Sequence, residues 1–264
     1  MRILLVDVGN TRIKWAHLEK GRLGRGHAAL HAGWDEATCK RRLLRGKLPA
    51  QLWATSVAAP AVRRALARAA RSAGVVAKFV SVPRQGGGVR VGYREPWRLG
   101  ADRFVAMVGA HALLPRSALC VVGVGTALTI DLIGADGRHH GGVIIPGPSL
   151  MIETLLTRTY GIRRRARGGS ARGGSAQGHT QLFARSTRAG VLQGARYAAA
   201  ALIDRAADEG RALLRHRPLV VLTGGGGDGV RPLLRSPCVG VPDLVLRGLA
   251  VLAQGAAPGP RTQA

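Results

Sequence analysis

Fourteen acidic residues stand against forty lysines and arginines in this chain, so an aspartate set among apolar residues and glycines needs an explanation. Asp7, Asp102 and Asp131 are the conspicuous ones. Asp7 closes an apolar run that begins at Ile3, and Val8, Gly9, Asn10 and Thr11 follow it. A glycine lets backbone come close to a ligand, while the Asn amide and the Thr hydroxyl can meet phosphate oxygens. Strand, acid and turn together suit a metal and phosphate site; they also suit a turn whose Asp caps its own backbone. A second copy favours the first reading. Leu119 to Val124 is another apolar run ending in a Gly turn, Gly123-Val124-Gly125-Thr126, and two such hairpins make a clamp for a polyphosphate. Carboxylate and phosphate oxygens together suit Mg²⁺, which keeps most of its waters.

A third Gly turn, Thr223-Gly224-Gly225, follows the run Leu219 to Thr223 and would let a nucleotide lie against bare backbone. None of the three turns has the spacing of a P-loop or of a dinucleotide fingerprint. Asp102 and Arg103 fall at the start of a helical pattern, where they read either as dipole and surface charges or as a base and an anion anchor. Adjacent His139 and His140 are placed in a turn, and neighbouring histidines rarely serve one metal. Trp15, Trp34, Trp53 and Trp97 read as packing residues.

The elements that must carry these groups follow from pattern. Ile3 to Val8, then Ile13, Trp15 and Leu18 alternating with polar neighbours, read as strand, tight turn, strand. Leu119 to Val124, Leu128 to Ile133, a turn at Ala135 to Gly137 and Gly142 to Ile145 repeat that arrangement. Superposing Asp7-Val8-Gly9 on Gly123-Val124-Gly125 implies an internal duplication and two related α/β domains, 1–115 and 116–264. Helices are expected over Ala61 to Ala73, Ala101 to Leu114, and from a Ser186-Thr187 cap to about Leu214. The tail from Gln254 is rich in Gly, Pro and Ala and is expected to fray.

A length of 264 residues can bury a substantial core. The first residues carry one basic group and a short apolar run broken by Asp7, which is neither a secretory segment nor a membrane span. Three widely spaced cysteines fit no disulfide framework or zinc cluster, and a cytoplasmic setting is expected. The formal charge of +26 raises nucleic acid as a partner. Yet Arg is scattered through every region and aromatic residues are few, so no specific nucleic-acid binding is expected. The run Arg163 to Arg172, continuing in Gly and Ser to Gly178, is expected to form a mobile loop.

The stretches Val89 to Tyr93 and Leu99-Gly100-Ala101-Asp102-Arg103 resemble the substrate signature of the type III pantothenate kinases. Asp7 to Thr11, Gly125 to Asp131, Gly141 to Gly147, Phe183 to Thr187 and Leu222 to Gly225 are similar to further motifs of that family, in its order, across nearly the whole chain. The resemblance implies the duplicated actin-like fold of acetate and sugar kinases, and transfer of the ATP γ-phosphoryl group to pantothenate in the first step of coenzyme A synthesis. It implies Asp102 as the base. ATP and phosphates would meet Asp7, Val8, Gly9, Asn10, Thr11, Arg12, Ile13, Lys14, Gly125, Thr126, Gly224 and Gly225, with Mg²⁺ at Asp7 partly through water. Pantothenate would meet Tyr93, Gly100, Ala101, Asp102, Arg103 and Thr187, Arg103 pairing with its carboxylate. A homodimer is implied, without membrane attachment. The family also implies an activating K⁺ or NH₄⁺ beside an Asp two residues before the Gly of the second hairpin; Gly123 stands there, which removes that ligand. Gly123 and the Arg-rich run motivate another reading, a transcription accessory or binding protein on the same fold with a weakened kinase site. A sugar kinase would usually be longer and lack the Leu-Gly-Ala-Asp-Arg segment.

Overall fold

Ile3 to Val6 are almost wholly buried and form the middle of β1 (Arg2–Val8), as an apolar run flanked by turn residues should. In the computed structural model, which describes residues 1–167 and 181–255, β1 is the centre of a mixed sheet. β2 (Arg12–Glu19) runs antiparallel to it and sets Asp7 opposite Lys14 and Val8 opposite Ile13. β3 (Arg22–Leu23) and β4 (His27–Leu30) pair with the other edge of β2. On the far side of β1 lie two parallel strands, β5 (Gln51–Ser56) and β6 (Val76–Phe79), with Thr55 beside Asp7.

Two helices cover one face of this sheet. α1 (Glu36–Leu43) starts at Asp35, whose carboxylate accepts the Thr38 N–H at 2.8 Å. α2 (Pro60–Ser72) opens with proline and buries Ala65, Leu66, Ala69 and Ala70, the stripe that helical spacing dictates. They enclose a core built on Leu4, Val6, Val8, Ile13, Leu52 and Leu66, with Trp15 and Trp34 packed at its margin. A short hairpin, β7 (Gln85–Gly86) and β8 (Val89–Arg90), and a 3-10 turn at Pro96–Arg98 lead to α3 (Ala101–Leu113).

The second sheet is built on β9 (Leu119–Val124) and β10 (Ala127–Ile133), antiparallel, with Gly123 opposite Thr129 and Val124 opposite Leu128. β11 (His139–Pro146) borders β10. β12 (Leu219–Thr223) and β13 (Cys238–Gly240) extend the other side in parallel. The order β11-β10-β9-β12-β13 repeats β3-β2-β1-β5-β6, and both hairpins close their turns after matching residues, Val8 and Val124. The duplication read from the two Gly turns is therefore a repeat of strand order, with four residues between the closing pair Val8 and Ile13 of the first hairpin and three between Val124 and Leu128 of the second. α4 (Pro148–Arg158) and α5 (Tyr160–Arg167) follow β11. α6 (Thr187–Leu214) begins at Ser186, whose hydroxyl accepts the Ala189 N–H at 3.2 Å, and buries Ala199, Ala200, Ile203 and Ala207 against Val122, Val124 and Val220. A single turn of helix, α7 (Gly227–Val230), follows β12.

The chain divides into two units: residues 1–117, 135–141 and the chain from Asp243 form one, and the described parts of 118–134 and 142–242 form the other. The sequence reading assigned all of 116–264 to the second domain. The C-terminal helix α8 (Leu244–Gly255) lies in the first unit because it packs on α3 at backbone distance. A Cβ on Gly109 would come within 2.6 Å of the Leu244 carbonyl, and one on Gly248 would collide with that of Val105. Small residues at such a crossing let two helices meet closely.

Three expectations need correction. Arg163 to Arg167 are helical, at the end of α5, because arginine is a good helix former whatever its charge; residues 168–178 of that run lie outside the described residues. His139 and His140 begin a strand, and His139 is buried. Gln254 and Gly255 are still helical, and the tail beyond them is outside the described residues. Among the described residues no helix is long and apolar enough to cross a membrane.

Candidate active site

Asp7 is partly buried at the end of β1, and its carboxylate accepts the Thr55 hydroxyl at 2.9 Å. Burial raises its pKa to about 6; Asp102 and Asp243 push the same way, against the Thr55 bond and Lys14. Asp102 and Asp243 thus both act on Asp7, as does Lys14, whose ammonium is 3.7 Å from Asp243. A site that crowds carboxylates in this way is suited to a cation. The turn beyond Asp7 is tight: Gly9 N–H donates to the Arg12 carbonyl at 3.0 Å.

The helix start of α3 joins this group in the first unit. Asp102 lies in its first turn, and its Oδ1 accepts the Arg103 N–H at 2.8 Å. A Cβ on Gly100 would stand 2.7 Å from the same oxygen, so a side chain there would displace the Asp102 carboxylate. Arg103 is buried, donates to the Tyr93 hydroxyl at 3.3 Å and lies over the Tyr93 ring. The Tyr93 ring stacks on His139 with 5.7 Å between centroids. Asp102, Arg103, Tyr93 and Gly100, singled out in the sequence, are thus brought together, with Ala101 beside them on the helix.

In the second unit the Gly turns close on one another. Gly125 N–H donates to Ala127 O at 3.0 Å, and Gly147 N–H to Thr126 O at 2.8 Å. A Cβ on Gly147 would collide with the Gly125 carbonyl, and one on Gly224, whose φ is +94°, with that of Val124. Gly226 N–H in turn donates to Val124 O at 3.0 Å. The Gly224–Gly226 turn thus lies against the Val124 backbone beside the Gly125–Thr126 turn, with Gly225 open to addition of a side chain. Thr187 is the first residue of α6, and Asp131 is buried on β10. Among the described residues no cluster of three or more His, Cys, Asp or Glu could hold a metal by itself. Cys39 and Cys120 are free, and burial pushes their thiols up to about 11 and about 12, which makes them poor nucleophiles.

The sequence reading missed Thr55, Asp243 and His31, whose Nε2 lies 2.6 Å from the Gly9 carbonyl. Thr55 could have been found as the polar end of an apolar strand, parallel in pattern to Thr223. Asp243 gave no signal beyond that of an acid before an apolar helix.

Two sheets of repeated topology, each with a hairpin and a Gly turn, define a protein of the actin-like ATPase and sugar kinase class. Over 97% of this chain and all of the other, it resembles a putative 2-dehydro-3-deoxygalactonokinase from Sinorhizobium meliloti, with a TM-score of 0.61 and 14% identity. A structure described as a conserved putative Baf family transcriptional activator from Campylobacter jejuni matches with a TM-score of 0.59 and 18% identity, over 96% of this chain and 98% of that one. At such identities these likenesses concern the fold. The family model for type III pantothenate kinase matches residues 3–209, and the chain belongs to that family. Type III pantothenate kinases from Nitrosococcus oceani and Stenotrophomonas maltophilia are 33% and 37% identical, covering 96% and 93% of this chain and 94% and 95% of their own lengths.

Proposed function

We propose that Asp102 is the catalytic base of a pantothenate kinase, and that Arg103 with Tyr93 anchors the substrate carboxylate beside it. The chain is a kinase that phosphorylates pantothenate at the expense of ATP, the entry to coenzyme A biosynthesis. The observation that carries the residue assignment is the gathering of Asp102, buried Arg103 and Tyr93 at the start of α3, within electrostatic reach of Asp7. The primary hydroxyl of pantothenate attacks the γ-phosphorus, its proton passes to the Asp102 carboxylate, and ADP leaves. The Gly9–Arg12 turn, with Asn10, Thr11 and Lys14, meets the phosphates. Gly125, Thr126, Gly224 and Gly225 offer backbone to the nucleotide, and Thr187 contributes to the substrate pocket.

Mg²⁺ fits this residue set. Among the described residues no carboxylate cage is gathered, and Mg²⁺ is commonly held by one or two carboxylates with phosphates and water. Asp7 would hold it, partly through water, and the ion would neutralise charge on the transferring phosphoryl group. We place the reaction in the cytoplasm and the active species as a homodimer, in keeping with the family resemblance. The accessory-factor reading is not favoured, because the family is one of kinases.

The test is ADP release by the purified chain with Mg²⁺ and ATP, with and without pantothenate. Release that depends on pantothenate, with phosphopantothenate formed in equal amount, is expected. ATP consumption indifferent to pantothenate would overturn the reading.

A further inference from the structure

Beyond the residues already assigned, the turn that follows Asp7 has a support of its own. β4 runs alongside β2 with Leu30 opposite Arg12, which carries the next residue, His31, over the turn. His31 N–H donates to the Thr11 carbonyl at 3.4 Å, and its ring Nε2 lies 2.6 Å from the Gly9 carbonyl. A carbonyl can only accept, so Nε2 carries the hydrogen. The residue is 6% exposed, and its Nδ1 is buried without a hydrogen-bond partner among the described residues. Leaving a buried polar atom unpaired costs stability, so an apolar side chain filling this space would serve the fold better. The bond to Gly9 is what the imidazole supplies instead.

We propose that His31 is a positioning residue for ATP: by holding the Gly9 carbonyl it fixes the peptide plane that aims the Asn10 N–H at the nucleotide phosphates. The peptide unit is planar and trans, so its C=O and N–H point in opposite directions. Pinning the carbonyl of Gly9 on His31 therefore turns the N–H of Asn10, an exposed residue, the other way. Gly9 N–H is already committed to Arg12 O, so both polar groups of Gly9 are tied and the turn has little freedom left. Such a turn meets phosphate without first being ordered by it. The inference rests on the assignment of the Gly9–Arg12 turn to the ATP phosphates.

The experiment compares His31→Gln with His31→Asn and His31→Leu. The Gln amide nitrogen falls near the place of Nε2 and can keep the bond; the Asn nitrogen falls near that of Nδ1 and cannot. His31→Asn and His31→Leu are expected to raise the KM for ATP about 5- to 10-fold, the effect of one lost hydrogen bond. The kcat and the KM for pantothenate stay within about 2-fold, as does the Gln variant throughout, because the contact serves ground and transition states alike. A role in stability alone would lower the melting temperature of all three and leave the ATP KM unmoved, which would overturn the proposal. Equal impairment of Gln and Asn would do the same, and that comparison still decides the matter if the Leu variant does not fold. Thr11→Val reports on the turn itself. A raised ATP KM there with an unaffected His31→Asn overturns the role of His31 alone, whereas an unaltered ATP KM in both overturns the assignment of the turn as well.

Discussion

The two hairpins share a backbone and differ in what they place on it. Asp7 and Gly123 occupy the same register position, one residue before the valine that closes each turn. Thr55 flanks Asp7 on the parallel strand as Thr223 flanks Gly123. Even the next hydrogen bond recurs, Val57 N–H to Val8 O and Gly226 N–H to Val124 O, each 3.0 Å. The first unit, however, adds Lys14 opposite its acid, with Asp102 and Asp243 near enough to shift it. The second sets Thr129 opposite its glycine and backs the turn with Gly147 and Gly224. One half of the duplication has become a charged site and the other a backbone surface, which is the division that phosphoryl transfer asks of its parts: charge control at the reacting group, shape at the nucleotide.

The division breaks most sharply if the charged half loses its proposed base. Asp102→Asn is expected to fold and to bind ATP but to lose about 10²- to 10⁴-fold in kcat, since the amide cannot take the hydroxyl proton. Near-normal turnover would remove Asp102 from the mechanism. Arg103→Leu tests the anchor beside it. Its KM for pantothenate is expected to rise about 10- to 100-fold, as for loss of a charge-assisted hydrogen bond, with the KM for ATP nearly unchanged. A variant that fails to fold would mark Arg103 as structural, in which case Tyr93→Phe, which removes only the hydroxyl, becomes the measure of the anchor.

The crowding of carboxylates gives a pH test of the same half. Asp7 holds its proton more tightly in the folded chain, with a pKa of about 6 against the ordinary 3.8. A group raised in this way contributes stability that is complete below the unfolded pKa and is lost as pH rises through the folded one. The metal-free protein in chelator is therefore expected to lose about 2 kcal/mol of stability between roughly pH 4 and pH 7 from this group. Asp7→Asn should flatten that part of the profile and be more stable than the parent at pH 7, while being poorly active. Denaturant midpoints across pH settle it; an unchanged profile in the variant would show that Asp7 is not the group responsible.

Much of this arrangement was legible in the sequence because it is local. Both hairpins, the strand ending at Thr223, the Asp102 helix start and the Ser186 cap are written in short apolar runs and their boundary residues. Two of the partners that tune Asp7 were not legible. Thr55 reaches it across a parallel pair 48 residues away, and Asp243 through a C-terminal helix that returns to the first unit at Gly109 and Gly248, contacts that leave no periodic trace. His139 misled because two histidines beside glycines look like a turn, whereas it is buried by stacking on Tyr93. The Arg-rich run misled for another reason: its first five residues favour helix, and composition alone weighed only their charge.

The smallest effect is expected where the halves differ by one side chain. If the second hairpin holds the phosphates as proposed, a carboxylate at position 123 would stand beside them, where two anions repel unless a cation lies between them. With glycine there, both the repulsion and the cation ligand are gone, so the enzyme should be active with little dependence on K⁺ or NH₄⁺, any remaining demand for positive charge falling to Mg²⁺ or an arginine. The structure adds a condition to the converse experiment. A Cβ on Gly123 would lie 2.9 Å from the Thr129 hydroxyl, so Gly123→Asp alone forces that side chain to turn and confounds electrostatics with packing. Combining it with Thr129→Ala removes the obstructing oxygen, and Thr129→Ala by itself is the control. Rates are then titrated with K⁺, Na⁺ and a bulky organic cation at fixed ionic strength. The parent and the control are expected to vary by less than about 2-fold, and the double variant to be slow in the organic cation and rescued by K⁺, since a new carboxylate near the phosphates needs a counterion. Strong K⁺ activation of the parent would show that the second hairpin binds a cation without a carboxylate at 123, and the contrast between a charged half and a bare half would no longer hold at that position.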